Sequence, residues 1–385
     1  MRVAFICFYK AWPPEGGAAT VTYHVLHYTI GQRLLIQLNL QRKELITPEG
    51  IQISSIKGAT DNRTLKIINF IPVLARFISR LKLFRPDVIV LEGASWVVFY
   101  WFLILAIRLI LGKRLILYHA HNVEYVLRGQ KHNHFIAFLT KIAEGYILRC
   151  VDQSFAVSNV DRNIFYKLYR IQPELLPNGV NINSFNNIQN TLISKTKISY
   201  GLDQYTFLFT GSYLYKPNTE GLDFLINKIM PRIVRIYPKA KLAVLGSHLP
   251  FNKPWLINPG CLPHKTLPAF IKSCSIGLAP IFSGSGTRLK ILEYMAAELP
   301  VISTNKGAEG LPINHLNNIF IADTENDFIG AIQAILDSPE LYRRLSLEGK
   351  KMVAKFFDWP EIIKSFNSFI INLFNSRERT PNKQG

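Results

Sequence analysis

Ser275 to Leu311 reads SIGLAPIFSGSGTRLKILEYMAAELPVISTNKGAEGL, and this stretch decides the fold. Ser275 to Phe282 is an apolar run of the length expected for a strand buried on both faces, followed at once by the glycine-serine turn Ser283 to Gly286. From Arg288 to about Ala297 the order of charged and apolar residues predicts a helix. Leu289, Leu292 and Ala296 face inward, while Lys290 and Glu293 share the outward face. Pro300 to Thr304 reads as the next parallel strand. A strand, a glycine-rich turn and a helix start make an anion site, because the first helical N–H groups lack intrahelical partners and the dipole is positive there. Arg288 and Lys290 add two full positive charges at that point.

The rest of the chain is consistent with a large cytoplasmic α/β protein. At 385 residues it is long enough for two domains, and 48% hydrophobic with 18% charged residues is a globular balance. Cys7, Cys150, Cys261 and Cys274 have no paired spacing, which argues against a disulfide framework or a zinc knuckle. MRVAFICFYK runs from one arginine straight into a strand-like segment, so no secretory signal is read. The net charge of +19 calls for an anionic partner: nucleic acid, a nucleotide diphosphate or an anionic membrane leaflet. No arginine-rich run interleaved with aromatics and no zinc-finger or RNA-sheet signature supports nucleic acid, which favours the membrane.

Strand and helix alternate along the first half. Arg2 to Phe8 is a strand, PPEGGAAT follows, and Val21 to Ile30 reads as a helix. Gly16 and Gly17 at that turn let a ligand approach the backbone. Further strands are expected at Arg33 to Gln37, Ile51 to Ile56 and Pro86 to Leu91, with a helix carrying Leu74, Phe77, Ile78 and Leu81. Trp96 to Leu111 has a single charge, Arg108, and is shorter than the about 20 apolar residues a spanning helix needs. It reads as a helix of the fold that is either covered by protein or dips into a membrane face. Leu115 to Tyr125, LILYHAHNVEY, places His119 and His121 on one face of a strand. They could be strand-end polar residues, site residues or part of a metal site, although no third ligand is evident in the sequence. The second half restarts the alternation at Thr206 to Thr210, with a helix over Thr219 to Ile236 and a strand at Leu242 to Leu245. Polar Asn181 to Ser199 lies between the halves.

Taken together these segments resemble the family 4 glycosyltransferases, retaining enzymes of the GT-B fold. There the central region reads roughly E-G-x-G-x-x-x-x-E-A-M-A, a small residue, P-V-[IV]-x-[ST], then G-x-x-E; here Gly286, Glu293, Met295, Ala296, Pro300, Val301, Ser303, Gly307 and Glu309 stand in that order. Ser285 occupies the place of the first glutamate and Glu298 that of the helix-ending glycine. Gly307-Ala308-Glu309 is one residue short, with Gly310 where the glutamate would be. The variant G-x-G-T-R-L-K-I-L-E resembles a subgroup of the same family. Gly16 and Gly17 match the family's P-x-x-G-G loop, H-N-x-E its acceptor-side motif, and FAVSNVDR and LPNGV its domain-closing signposts. After the first strand of the second half the family has G-R-L and a later lysine. Here Gly211-Ser212-Tyr213 precedes Lys216, so Arg288, Lys290 and Lys216 are left to carry the charge.

The resemblance implies two Rossmann-like doubly wound α/β domains facing across a cleft. Residues 1–182 would be the acceptor-side domain, completed by a C-terminal helix over 358–375; residues 200–357 would bind a nucleotide sugar, and 376–385 would be a polar tail. It implies His121, Lys290 and Arg288 as catalytic residues, and Gly16, Gly17, Lys216, Gly286, Thr287, Glu293 and Glu309 as donor-binding residues. His119 and Glu124 fall on the acceptor side. The implied function is metal-independent, retaining transfer of a hexosyl group from a nucleotide-diphosphate sugar, used as co-substrate with no cofactor. The acceptor would be a glycan or lipid-linked molecule in cell-surface polysaccharide synthesis, at the inner face of a membrane. A non-catalytic partner of a polysaccharide assembly complex is the alternative, motivated by Ser285 and Ser212. A Rossmann-type oxidoreductase has only the Gly16-Gly17 pair in its favour, since no G-x-G-x-x-G follows a strand.

Overall fold

A computed structural model describes residues 1–14, 16–39, 42–58, 69–93, 97–129, 134–263, 266–284 and 288–378. The chain divides into two compact units, Met1–Pro177 with Pro360–Gly385, and Asn178–Trp359.

The first unit is built on one eight-stranded sheet. Its strands are β1 Arg2–Cys7, β2 Gln32–Asn39, β3 Lys43–Ile46, β4 Gln52–Lys57, β5 Val88–Glu92, β6 Leu115–Ala120, β7 Gln153–Ala156 and β8 Glu174–Leu175. They lie in the order β3-β4-β2-β1-β5-β6-β7-β8. All neighbours are parallel except β3, which pairs antiparallel with β4 at the edge. The strand order reverses between β1 and β5, and in open parallel sheets that switch point is where the carboxyl ends of the strands diverge to hold a ligand. β1, β5 and β6 are apolar nearly throughout, as strands covered on both faces must be. Phe77, Phe99, Tyr100, Leu103 and Tyr118 fill the core on one side of this sheet. The helix Val97–Ile110 covers the sheet with Tyr100, Leu103, Ile104 and Ile107, and its one charge, Arg108, turns back to Asp152 and to the Arg114 carbonyl. The last helix, Trp359–Glu378, is counted with this unit from Pro360 onward and meets β7 through Phe366 and Phe369 around Phe155. It continues past Ser376, where the polar tail was expected to begin, because Ser376 bonds the Leu373 carbonyl and Arg377 reaches Asp152. Residues 379–385 lie outside the described residues.

The second unit has six parallel strands: β9 Thr206–Thr210, β10 Lys241–Leu245, β11 Leu256–Gly260, β12 Ile276–Ala279, β13 Val301–Ser303 and β14 Phe320–Ile321. Their order, β11-β10-β9-β12-β13-β14, again reverses beside the first strand. β12 stops at Ala279, short of the expected Phe282, since Pro280 has no N–H to offer the ladder. The helix expected over Thr219 to Ile236 is two α-helices, Lys216–Phe224 and Met230–Ile236, joined by the π-turn Leu225–Ile229. Pro231 is the physical reason. A proline ring clashes with the carbonyl four residues back, and the wider turn, in which Met230 N–H reaches the Leu225 carbonyl, relieves it.

Candidate functional site

In the second unit the site residues gather where β9, β10 and β12 end. The helix Leu289–Ala296 follows the turn after β12, with Ile291, Leu292, Tyr294, Met295 and Ala296 buried. Tyr294 locks this helix to β9: its hydroxyl accepts from Thr210 N–H at 2.7 Å and bonds Thr210 Oγ1 at 3.0 Å. Gly277 makes room for that ring, since a Cβ there would lie 2.3 Å from it. The helix ends without its usual glycine. Glu298 nevertheless adopts the left-handed conformation, φ 63°, and its carboxylate pairs with Lys350 at 2.6 Å and Lys272 at 3.6 Å. Those two ion pairs offset a backbone cost of about 1 kcal/mol.

Lys290 is not the solvated outward cation that its helical position suggests. It is half-buried, its ammonium 3.9 Å above the Phe209 ring and 2.9 Å from Asn218 Oδ1. Asn218 is itself aimed by a bond from Nδ2 to the Ser212 carbonyl, and Gly211 must stay a glycine, because a Cβ there would lie 2.4 Å from Asn218 Nδ2. Burial, and next the neighbouring Arg288, bring the Lys290 amine down to about 7, against the pull of Glu293. Burial pushes the Glu293 carboxyl up to about 7, with Lys290 opposing. An amine with that value, beside a second cation and under a helix start, is a site short of one anion.

Arg288 occupies the N-cap position and donates to the Ser283 carbonyl at 3.2 Å. Ser283 in turn donates to Glu220. Lys216 is exposed and 3.7 Å from Glu220 on its own helix. Ser212, where the family has its arginine, bonds Ser247 at 2.9 Å. Glu309 is half-exposed and paired with Lys306 at 2.5 Å. Ser285, Gly286 and Thr287 lie outside the described residues.

The first unit holds a second cluster at the carboxyl ends of β5 and β6. His119 and His121 do share a face, their rings 4.8 Å apart, and both bond one oxygen of Glu92: His119 Nδ1 at 3.0 Å and His121 Nε2 at 2.8 Å. Thr22 donates to the same oxygen at 3.1 Å and bonds Tyr9 at 2.7 Å. Glu92 and His119 are fully buried and His121 nearly so. Burial alone would raise the Glu92 carboxyl, but the two histidines outweigh it and hold it at about 2. Burial lowers the His121 imidazole from its ordinary value, against its bond to Glu92, which favours the neutral ring. A carboxylate can only accept, so His121 donates from Nε2 and keeps the lone pair on Nδ1, beside Gly93, whose φ is 57°.

Glu92 is the group that sequence reasoning missed. It supplies the third ligand-type side chain beside the two histidines, and ligand atoms of the three lie within 4.8 Å of one another. The only local signal is an acid closing the apolar run PDVIVLE. Glu124, by contrast, is buried at the start of the helix Glu124–Gly129 and lies 3.4 Å from Arg128. The carboxylate of Glu144 caps that helix through the Glu124 and Tyr125 N–H groups. Gly16, at φ 88°, is the N-cap of the helix Gly17–Tyr28, with open space where a side chain would stand. The preceding loop is held by Gln37, which accepts from Ala11 and Trp12 at 2.8 Å each.

Comparison with known proteins agrees with this architecture. Residues 16–184 match the model described as Glycosyltransferase Family 4, and residues 204–338 that described as Glycosyl transferases group 1. Sucrose-phosphate synthase from Thermosynechococcus elongatus superposes with a TM-score of 0.79 at 15% identity, over 97% of this chain and 99% of that one. Anabaena Alr3699/HepE, solved in complex with UDP and glucose, gives 0.75 at 15% identity over 98% and 100%. WaaG, a glycosyltransferase involved in lipopolysaccharide biosynthesis, gives 0.68 at 13% over 96% and 99%. A Klebsiella pneumoniae protein described only by its mass and its place in the cps region is 28% identical over 138 residues, 33% of this chain. The matched segment spans 36% of that relative's own length. The chain thus carries a family 4 glycosyltransferase domain followed by a group 1 glycosyltransferase domain, on the two-unit α/β fold of its GT-B relatives.

Proposed function

We propose that the protein is a retaining glycosyltransferase that moves a hexosyl group from a nucleotide-diphosphate sugar to a glycan or lipid-linked acceptor in cell-surface polysaccharide synthesis. The single observation that carries this reading is the half-buried Lys290, held between Phe209 and Asn218 with its amine near 7 and Arg288 two residues before it. A diphosphate seated there gains two cations and a helix N-terminus. Those are the preorganised donors that stabilise charge developing on a leaving diphosphate. Glu293, on the same helix, would hold the ribose hydroxyls, and Gly286 and Thr287 precede that helix in the sequence. His121, with Nδ1 left as an acceptor, positions the sugar or acceptor rather than serving as a sole base. Cations already in place take the part a divalent metal would otherwise play, so transfer runs without one. The HepE complex with UDP and glucose and the cps-region relative support the donor class and the polysaccharide setting. The net charge of +19 supports work on an anionic membrane surface at the inner face.

A panel of nucleotide-diphosphate sugars, screened by thermal shift and then by release of the free nucleotide, tests the reading. At least one donor should stabilise the fold and be turned over. Donor binding with neither hydrolysis nor transfer would favour the non-catalytic partner, for which Ser212 in the place of the family's arginine is the motive.

A further inference from the structure

The helix Val97–Ile110 is apolar on both faces, and only one of them is covered. Its inner face is in the core, whereas Trp101, Phe102, Leu105 and Leu109, at spacings of one, three and four, are 38% to 76% exposed. A helix that is hydrophobic all round normally has a covering on every side. The neighbouring helix His134–Cys150 extends the surface: Tyr146 meets Trp101 with ring centroids 5.0 Å apart, and Phe138 and Ile142, one turn apart, are 57% and 53% exposed. On the other flank the helix Phe70–Phe84 touches Val97–Ile110 through Phe70 and Phe102. A contiguous apolar face of this kind marks a docking surface.

Charge selects the occupant. These three helices contain Arg76, Arg80, Lys82, Arg108, Lys141 and Arg149 and a single acid, Glu144, which is buried as the cap of Glu124. Arg80 and Arg108 are paired with Glu44 and Asp152 from neighbouring strands and loops, so the surplus rests on the other four. Arg76 and Lys82 are exposed, as is Lys113 just beyond the apolar helix. Fourteen helical residues extend about 21 Å, less than the about 30 Å of a hydrocarbon core. Among the described residues no helix is long and apolar enough to cross a membrane. We propose that this face lies in the headgroup region of an anionic bilayer, its apolar side chains inserted and Trp101 with Tyr146 at the boundary, the basic residues at the rim meeting lipid phosphates. The proposal rests on the reading of a transferase acting at a membrane, and it names the surface through which the first unit docks.

The test is cosedimentation of the full chain with phosphatidylcholine vesicles, with and without phosphatidylglycerol. The wild type should sediment with the anionic vesicles, and added salt should weaken but not abolish binding, since salt screens the rim and not the inserted side chains. Leu109→Glu with Phe138→Glu should lower partitioning roughly tenfold or more. Leu347→Glu with Phe356→Glu, exposed positions of the second unit carrying the same change in charge, should leave it within about twofold. Equal losses in the two double variants, or no loss in the first, overturns the proposal. So does a wild type that ignores vesicles and forms a dimer that the first double variant dissolves, which would make the face a contact between copies. Quenching by brominated lipid reads insertion without any destabilising change: it should reach the wild-type tryptophans and fall in Trp101→Phe, and equal quenching in both counts against insertion. Donor turnover in the absence of vesicles should be unchanged in both double variants. Turnover without vesicle binding sinks the lipid face alone, and vesicle binding without turnover of any donor sinks the transferase reading alone.

Discussion

The two polar clusters of the molecule are built on opposite plans. Around Glu92 the bonds converge: one oxygen of a buried carboxylate takes bonds from two imidazoles and a threonine, and its carboxyl is held at about 2. Around Lys290 the contacts are to neutral groups: the amine meets Asn218 and the Phe209 ring, Arg288 meets the Ser283 carbonyl, and burial brings the amine and the Glu293 carboxyl of one short helix both to about 7. A closed cluster fixes geometry, because its parts already hold one another. An open one, whose cations rest on neutral groups, can still take an anion, which would offset the burial that lowers the amine.

Removing the cation from the open cluster should have the largest effect. Lys290→Met keeps the stem over Phe209 and is expected to lower transfer about 10²- to 10³-fold with little change in melting temperature. Steady-state kinetics beside a thermal melt checks this, and wild-type turnover in the folded variant would make the two clusters alike. The closed cluster should respond through stability instead. Glu92→Gln weakens the one acceptor that His119, His121 and Thr22 share and should cost about 1 to 3 kcal/mol in denaturant titration at pH 7.

Acid gives the same contrast with its sign worked out. The folded Glu92 carboxyl lies below its unfolded value, so its contribution is present above about 4.5 and is lost as pH falls toward 2. His121, whose folded value is also depressed, adds to the loss as pH drops through the ordinary histidine range. Between about 4.5 and 2 the wild type should therefore lose stability that Glu92→Gln does not have to lose, whereas in the histidine range the variant should lose more, because Glu92 no longer opposes the lowering of His121; parallel curves would remove the carboxylate from the account. Tyr294→Phe removes both bonds to Thr210 and should cost about 1 to 2 kcal/mol while raising the donor KM severalfold. The smallest expected effect is none: transfer should be unchanged in excess chelator. A chelator-sensitive enzyme would turn Glu92, His119 and His121 into a metal centre and erase the distinction between the clusters.

What could be read in the sequence follows from how local each signal is. The alternation of apolar strands and amphipathic helices and the shared face of His119 and His121 are short-range patterns, and they are legible in the sequence. Glu92 was not, because its partners come from the next strand and from Thr22, which no periodicity connects to it. Lys290 was read as outward since helical phase points it away from the core, whereas the wall that covers it, Phe209 and Asn218, belongs to other segments. The edge strand β3 was missed for a different reason: Lys43–Ile46 is mostly exposed and shows no alternation.

The π-turn at Leu225–Ile229 has a bearing on how related chains are aligned. One surplus residue there rotates everything before it by about 100° relative to everything after it. The segment that aims Asn218 at Lys290 and the segment that sets Ile233 into the sheet can therefore be tuned separately, with the joint taking up the difference. A chain one residue shorter between Pro217 and Pro231 would keep the same secondary structure on paper yet swing the asparagine off the lysine, so length at that joint, more than identity around it, should track whether two such proteins share a donor site.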